Sequence, residues 1–251
     1  MNCKNCENKV DGNFCAHCGQ NVKVDRLNLP NFLTEISDNV FQLNRGLFYT
    51  IKELFTRPGH AIRDFIQGKR KEYFKPIAYA LTLSTIYFLV SQISDSPTLI
   101  DDFLNGASDG VSDADKGDGS ISNFPILEWL SNNYAYTTLL LIPIFSLASF
   151  ISFLGLGINY LENIVINSYI TGQQAIFYSF FMVMGTFFDI NNWTTLSAVI
   201  ISVLFNLWAY VQFFSKAKKS VVIIRLILTY LLFNIIFLII FAAIVAPFLM
   251  N

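Results

Sequence analysis

The sequence reads LILTYLLFNIIFLIIFAAIVAPFL from Leu226 to Leu249, an almost unbroken apolar run. A helix needs about 20 apolar residues to cross the hydrocarbon core of a bilayer, and this run exceeds that length. It therefore predicts a transmembrane helix, which we place at 221–249 together with the residues that lead into it.

The composition of the whole chain supports this interpretation. Of the 251 residues, 53% are hydrophobic and 14% are charged, whereas soluble proteins carry about 25% charged residues. The chain also contains 25 Phe, 11 Tyr and 3 Trp, which is more apolar surface than one soluble core can hide. These values exclude a disordered, a collagen-like or a small disulfide-rich secreted protein, and they argue against a purely soluble enzyme.

Further apolar runs predict four more spans, at 74–93, 134–157, 172–190 and 193–214. The third is the weakest, because its continuous apolar part, Ala175–Phe188, has a length that also suits a re-entrant segment. With the last run included, residues 73–251 predict an all-α membrane protein of about five transmembrane helices.

The positions of Lys and Arg predict the topology, since cytoplasmic loops of membrane proteins are enriched in these residues. Residues 1–93 contain 12 Lys and Arg, whereas the connection 94–133 contains Lys116 alone among glycine and acidic residues, the composition of a flexible outer loop. The next basic cluster, at 216–225, returns to the cytoplasmic side only if the third stretch crosses. We therefore expect five spans in a bacterial cytoplasmic (inner) membrane, with the N-terminus cytoplasmic and the C-terminus outside.

The four cysteines form the pattern C-x2-C-x8-C-x2-C, and they are Cys3, Cys6, Cys15 and Cys18. Two C-x2-C turns can place four thiolates around one tetrahedral ion, which is the geometry of structural zinc. The alternatives are two disulfides, which a reducing cytoplasm disfavours, and an iron or redox site.

The residues around the cysteines fit a small zinc ribbon at 1–22, with zinc as its cofactor. Gly19 follows the last cysteine and allows backbone amides to point at the sulfurs. We expect Phe14 to provide a small apolar cover and His17 to be exposed, because a site with four thiolates needs no fifth ligand.

The segment 28–72 predicts amphipathic helices at the membrane surface. Apolar residues recur at helical spacing, first at Leu47, Phe48, Ile51, Leu54 and Phe55, then at Ala61, Ile62, Phe65 and Ile66. Pro58 is suited to begin the second helix and Gly68 to end it. We expect a helix pair on the inner leaflet or against the bundle, and the alternative is a small cytosolic helical subdomain with its own core.

A basic cluster at the membrane edge follows this helix pair, and it consists of Lys69, Arg70, Lys71 and Lys75. Each positive charge near an anionic leaflet contributes about 1 kcal/mol of attraction. The cluster therefore predicts contact with anionic lipid, although it also serves as an ordinary topology signal.

Few polar residues lie near membrane depth. Glu162 lies in the second cytoplasmic turn, with Asn159 and Asn163 beside it. An ionisable group at this depth is a functional candidate, and the alternative is an interfacial carboxylate that pairs with a basic residue. Asn206 and Asn234 are expected to form hydrogen bonds between helices. No catalytic motif or proton relay can be assembled, so we predict no catalytic residue.

The stretch 44–76 reads NRGLFYTIKELFTRPGHAIRDFIQGKRKEYFKP. It resembles the signature of the uncharacterised bacterial domain family numbered 3667, which has R-G before T, P-G before I-R-x-[YF], and G-K-R-x-x-Y-x-x-P. The matching residues are Arg45, Gly46, Thr50, Pro58, Gly59, Arg63, Phe65, Gly68, Lys69, Arg70, Tyr73 and Pro76. Family members often carry a zinc ribbon that ends in C-x-x-C-G-Q, similar to Cys15–Gln20 here.

This resemblance implies an integral membrane protein without an established activity. The five-span layout also resembles Yip-type membrane proteins, in architecture alone. We expect a non-enzymatic docking, scaffold or sensor protein whose partners are the lipid bilayer and a cytoplasmic protein, and the oligomeric state stays open. The alternative is a small permease or lipid-handling protein with a path near Glu162. We expect no nucleic acid, because the basic residues of the ribbon are balanced by acidic ones.

Overall fold

The computed structural model describes residues 1–22, 24, 26–27, 46–103, 106, 125–188 and 191–249. Its named helices are α1 (Gly46–Thr56), α2 (Pro58–Ile66), α3 (Pro76–Ile93), α4 (Pro125–Asn132), α5 (Tyr134–Ser152), α6 (Tyr160–Phe188), α7 (Asn191–Phe213) and α8 (Lys219–Leu249). Within the described residues there is no β-strand beyond two isolated bridges in the N-terminal module. The all-α prediction is confirmed for this part of the chain.

Proline and glycine set the boundaries of the helices as the sequence predicted. Pro58 and Pro76 lie in the first turn of α2 and α3, where the backbone amide would have no partner within the helix. Gly68 follows α2 with a φ of +110°, a conformation that favours glycine. The predicted start and stop of α2 are therefore confirmed.

Four helices are long and apolar enough to cross a membrane. Among the described residues these spans are Pro76–Ile93, Tyr134–Ser152, Trp193–Phe213 and Lys219–Ala243. The chain is thus a helical multi-pass membrane protein. The predicted span 172–190 lies inside α6, a 29-residue helix that begins at Tyr160. Its first half carries a carboxylate and several carboxamides, so it does not stand out as a span by composition.

Neighbouring long helices run in alternating directions. We call the basal end the one where α3, α6 and α8 begin and where α5 and α7 end. There Arg225 Nη1, at the start of α8, donates to the carbonyl oxygen of Ser152 at 3.2 Å. At the opposite, distal end, the rings of Tyr87 and Tyr134 lie 4.9 Å apart and join the end of α3 to the start of α5. α6 therefore carries the chain from the basal to the distal end between α5 and α7.

α6 lies at the centre of the bundle and α8 at its edge. α6 packs against α3, α5 and α7, and residues 162–170 are all buried. In contrast, only 11% of the apolar window of α8 is buried, against 39–44% in the other three spans. The core of the bundle is thus built around a helix that is not the most apolar one.

The hairpin of α1 and α2 packs on the basal end of the bundle. A Cβ at Gly59 would collide with the backbone of Phe213, so α2 approaches the end of α7 more closely than other residues allow. Buried side chains of both hairpin helices, such as Leu54 and Phe65, belong to the same hydrophobic core as the bundle. The hairpin therefore lies against the bundle rather than around a core of its own.

The predicted apolar stripe of α1 is not buried along its whole length. Phe48 is 78% exposed, whereas Thr50 is fully buried. The reason is a hydrogen bond that the sequence does not reveal, because Thr50 Oγ1 accepts from Phe74 N at 2.8 Å and donates to Gly46 O at 2.7 Å. A polar side chain thus occupies the face that packs on the bundle.

The connection predicted at 94–133 contains helical structure in its described part. Residues 99–103 are helical, and α4 covers the last part of the connection before α5. The acidic, glycine-rich stretch at 107–124 lies outside the described residues. So do residues 28–45 of the predicted interfacial segment.

Candidate metal centre and its dock on the bundle

The four predicted cysteine ligands converge on one point. The sulfur atoms of Cys3 and Cys18 lie 3.6 Å apart, those of Cys6 and Cys15 lie 3.5 Å apart, and all four fall within 4.8 Å of one another. A tetrahedral ion with metal–sulfur bonds of about 2.3 Å holds its sulfurs roughly 3.8 Å apart. The four cysteines can therefore hold one metal ion.

Two similar turns position these sulfurs. The residue after the second cysteine of each turn adopts a left-handed conformation, with a φ of 62° at Glu7 and 71° at Gly19. Its amide donates back to the carbonyl oxygen of the first cysteine, Glu7 to Cys3 at 2.9 Å and Gly19 to Cys15 at 2.8 Å. Glycine adopts this conformation without strain, whereas Glu7 does so at a cost of about 1–2 kcal/mol.

The backbone also prepares the first cysteine of each turn as a metal ligand. A hydrogen bond from the backbone of Cys18 lowers the pKa of the Cys15 thiol to about 6, and a hydrogen bond from the backbone of Cys6 lowers the pKa of Cys3. Burial raises the pKa of Cys18 to about 11. Because the thiolate is the form that binds metal, Cys3 and Cys15 are favoured to ionise first.

The apolar cover of the site differs from the one predicted. Val10 is buried against Cys3 and Cys15, and Val22 packs on the same cluster. Phe14 is 63% exposed, so the expectation that it covers the site is wrong. His17 is exposed, as predicted.

Residues 1–22, which we call the metal module, are fastened by a buried glutamine to the junction between α2 and α3. Gln20, which is 5% exposed, donates through Nε2 to Gly68 O at 2.8 Å. Its Oε1 accepts from the backbone amides of Arg70 at 3.1 Å and Lys71 at 3.2 Å. All the hydrogen-bonding groups of the side chain face one short segment, so the module is docked rather than merely tethered.

The predicted basic cluster forms the other side of this dock. Lys69 Nζ lies 3.1 Å from Asp64 Oδ1, and the Arg70 guanidinium lies over the Phe65 ring at 5.5 Å. Two of the four cations are thus engaged by α2. The cluster also contributes through its backbone, because the amides of Arg70 and Lys71 donate to Gln20.

Glu162 is buried and paired. Arg26 binds it in a bidentate fashion, with Nε at 2.8 Å from Oε1 and Nη2 at 2.9 Å from Oε2, and Nη2 also donates to Gly157 O at 2.8 Å. Asn159 and Glu162 cap α6 reciprocally, since each backbone amide donates to the side chain of the other at 2.8 Å. This geometry is that of the interfacial carboxylate that pairs with a basic residue.

A chain of buried hydrogen bonds continues from Asn163 through the bundle. Ser149 Oγ donates to Asn163 Oδ1 at 2.9 Å, and Asn167 Nδ2 donates to Ser149 Oγ at 3.1 Å. Tyr210 OH then donates to Asn167 Oδ1 at 2.8 Å. The network joins α5, α6 and α7 near the basal end, and it gives α6 its polar character.

The two asparagines predicted to bond between helices differ in outcome. Asn206 Nδ2, on α7, donates to Tyr230 OH on α8 at 2.7 Å, which confirms the first prediction. Asn234 Nδ2 donates within its own helix to Tyr230 O at 2.8 Å, and its side chain is exposed, so the second prediction is wrong.

Arg63 and Gln212 lock α2 to the end of α7. Arg63 Nη2 donates to the carbonyl oxygens of Gln212, at 2.9 Å, and of Phe213. Gln212 Oε1 accepts in return from Gly59 N at 2.9 Å. A helix ends with unpaired carbonyl groups and a partial negative charge, and a guanidinium placed there satisfies both.

The described residues define a class of protein, a multi-pass helical membrane protein with an N-terminal cluster of four cysteines. A family described as "Protein of unknown function (DUF3667)" matches residues 44–88, which cover the hairpin and most of α3, so the chain is similar to that family over this part. Comparison with curated proteins and with solved structures gives no match.

The structure explains several residues of the signature quoted above. Thr50, Gly59, Arg63 and Gly68 all form or permit contacts that dock the hairpin on the bundle or end α2. In the described part of the chain, these contacts are structural in kind. These four residues of the signature therefore contribute to the packing of the hairpin.

Proposed function

We propose that this chain is a non-enzymatic docking protein of the bacterial cytoplasmic membrane, with a zinc-binding module that faces the cytoplasm and holds a protein partner. The observation that carries the proposal is the clamp of Gln20 on the backbone of residues 68–71. A clamped module has a fixed orientation relative to the membrane, and a binding surface gains affinity when it is preorganised in this way.

Zinc is the metal we propose for the four cysteines. The buried apolar side chains of the module are few, with Val10 the principal one beside the cysteines. A module of this size needs a metal to supply most of its folding free energy, and Zn²⁺ bound by four thiolates does so. The zinc would thus stabilise the surface that the module presents and the loop that carries Gln20.

Five crossings are the topology we propose. α5 and α7 both run from the distal to the basal end, so α6 must return the chain to the distal end between them. If α5 and α7 cross the bilayer, α6 crosses as well, and its 29 residues are long enough. This arrangement places the metal module and the basic turn before α8 on the cytoplasmic side.

The topology is tested by thiol labelling in intact spheroplasts, with an impermeant reagent. A cysteine introduced at Ser112 should react from outside, and one introduced at Ser220 should react only after the membrane is opened. The background lacks the four native cysteines, which would otherwise react once the membrane is opened, and this cysteine-free chain is the unlabelled control. Reaction of both introduced cysteines from outside would show that α6 does not cross.

The docking role is tested by affinity capture after crosslinking in native membranes. We compare the native chain with a chain lacking residues 1–20 and with Phe14→Ser, which alters the most exposed aromatic residue of the module without touching its core. Phe48→Ser, at a similarly exposed phenylalanine of α1, is the matched control. Proteins captured by the native chain and by Phe48→Ser should be lost from the other two. Identical sets from all four would contradict the proposal.

A permease or lipid-handling role ranks second. Its leading residue, Glu162, is occupied by Arg26 and by the Asn159 amide. An ion pair of this kind favours a structural role over a transport path.

A further inference from the structure

A cleft of about 710 Å³ lies at the basal end of the molecule. It is bounded by the metal module, by α2, by the turn that precedes α6 and by the turn that precedes α8. Ligand sites in proteins commonly measure about 300–1,000 Å³, so the cleft has room for a small organic group. The metal module contributes Lys4 to this cleft, and the hairpin and the ends of the bundle helices form most of the rest of its lining.

The cleft is strongly cationic. Four basic side chains line it, and they are Lys4, Arg26, Arg63 and Lys216. Glu162 is the acidic residue among the described lining side chains, and both of its oxygens are already engaged by Arg26 and the Asn159 amide. Four positive charges therefore face one negative charge that is already satisfied.

Two of these cations have no compensating charge in the described structure. Lys4 Nζ donates to Val24 O, which is an uncharged acceptor. Lys216 is exposed and makes no ion pair or hydrogen bond with the described residues. Cations that converge on one cavity raise its potential and attract an anion. None of the four belongs to the basic cluster at 69–75.

The other part of the lining is apolar. Leu156, Ile158, Phe213 and Phe214 line the cleft beside the cations. They lie where the turns at the basal end meet the hairpin, the level at which headgroups of the inner leaflet would lie in the proposed topology. A ligand that suits both parts of the lining has an anionic head and an apolar body.

We propose that this cleft binds the phosphate headgroup of an anionic phospholipid. Lysine and arginine bind phosphate oxygens through charge-assisted hydrogen bonds, and the apolar wall would contact the glycerol and the first acyl carbons. A soluble phosphate ester shares the head chemistry and would lack the apolar contacts. The proposal goes beyond docking, because it rests on the cleft and not on a protein partner.

The test is native mass spectrometry of the purified full chain, titrated with phosphatidylglycerol and with phosphatidylcholine of the same acyl chains. The double variant Lys4→Gln, Lys216→Gln removes the two uncompensated cations and leaves the ion pair and the cap of α7 intact. Lys218→Gln, Lys219→Gln is the matched control, since it removes two charges from the end of the same turn and the start of α8, and these two residues do not line the cleft. The melting temperature of each variant reports folding, and the single variant Lys216→Gln serves if the double variant melts early.

We expect the native chain to bind phosphatidylglycerol more tightly than phosphatidylcholine. Each lost charge should weaken phosphatidylglycerol binding about fivefold, so about 25-fold for the double variant, with less than about twofold for the control pair. Equal affinity of the native chain for the two lipids, or an equal loss in the control pair, overturns the proposal. Glycerol 3-phosphate and inorganic phosphate are tested last, as competitors of phosphatidylglycerol. If they displace phosphatidylglycerol at its own affinity, the site takes phosphate from solution and the lipid assignment fails.

Discussion

α6 and α8 contrast in a way that describes the environment of the bundle. α6 carries a carboxylate and several carboxamides and is buried over 162–170. α8 is apolar almost throughout, and only 11% of its apolar window is buried. In a soluble protein the apolar helix would be inside and the polar helix outside. The reversed arrangement is stable only if the solvent around the bundle is itself apolar.

The same contrast shows what each helix contributes. Polar side chains of α6, such as Asn163 and Asn167, are satisfied by partners on α5 and α7, and such hydrogen bonds position helices that lipid surrounds. Outward side chains of α8, such as Ile224 and Leu231, are 65% and 58% exposed. α8 therefore contributes length and apolar surface, whereas α6 sets the register of its neighbours.

The largest effect should come from removing the metal site. The change should be confined to the metal module and the segment on which it docks, and α8 should be unaffected. Cys15→Ser should lower the zinc content from about one ion per chain to almost none, since the loss of one thiolate opens a site whose metal supplies the folding free energy of the module. Metal analysis measures the content. Hydrogen exchange should rise in residues 1–22 and 68–71 and stay unchanged in α8. Equal zinc in both proteins, or exchange that rises in α8 as well, would contradict this account.

The next effect concerns the outward face of α8. Leu231→Arg should destabilise the inserted protein by about 3 kcal/mol if this face contacts lipid, because a charged side chain must then reside in hydrocarbon. Phe14→Arg, at an exposed residue of the metal module, is the matched control and should have little effect in water. The measurement is unfolding in lipid–detergent mixtures. A Leu231 variant that is as stable as the Phe14 variant would show that α8 faces water.

A smaller effect should distinguish polar groups inside the bundle from polar groups at its edge. Asn167→Ala removes the acceptor of Tyr210 OH and a donor to Ser149 Oγ, and it should destabilise by about 1–2 kcal/mol. Asn234→Ala, the same substitution on α8, should change stability by less than about 0.5 kcal/mol, because its side chain bonds only within its own helix. Thermal unfolding of both variants in one detergent makes the comparison. Equal shifts would mean that the α6 network does not hold the helices.

The smallest effect should belong to the ion pair that fastens the N-terminal segment to α6. The Arg26 side chain is 62% exposed and that of Glu162 only 5%, so solvent screens one partner and a coupling of about 1 kcal/mol is expected. A double-mutant cycle of Arg26→Gln and Glu162→Gln measures it. The single Arg26 variant should be the less stable of the two, since it leaves a buried carboxylate unpaired. Additive effects within error would show that the ion pair does not help to attach the N-terminal segment to α6.

Prediction from the sequence succeeded where the signal is local. The spacing of Cys3, Cys6, Cys15 and Cys18 was sufficient to identify four sulfurs that lie within 4.8 Å. Pro58 and Gly68 marked the bounds of α2 because proline and glycine act on their own backbone. Likewise, runs of apolar residues identified four helices that are long enough to cross.

Prediction failed where partners are distant in the chain. Arg26 and Glu162 are separated by 136 positions, and no local pattern around Arg26 announces the pair. Phe14 was expected to cover the cysteines, yet it is exposed and Val10 packs on them instead, and no apolar pattern predicted that the polar Thr50 is fully buried. The spacing of residues gives the face of a helix, but the neighbour that covers that face depends on the whole fold.

The sequence by itself therefore determined that part of the chain needs an apolar environment and which four residues can act as metal ligands. Composition and run length predict an apolar environment for 226–249, and four closely spaced cysteines predict a site that can hold one metal ion. Only the tertiary structure decided that α6 is central, that Gln20 grips the segment 68–71 and that Lys4 and Lys216 line one cleft. The physical reason is range. Hydration and ligand spacing act over a few residues, whereas buried hydrogen bonds and converging charges form only after distant helices have packed.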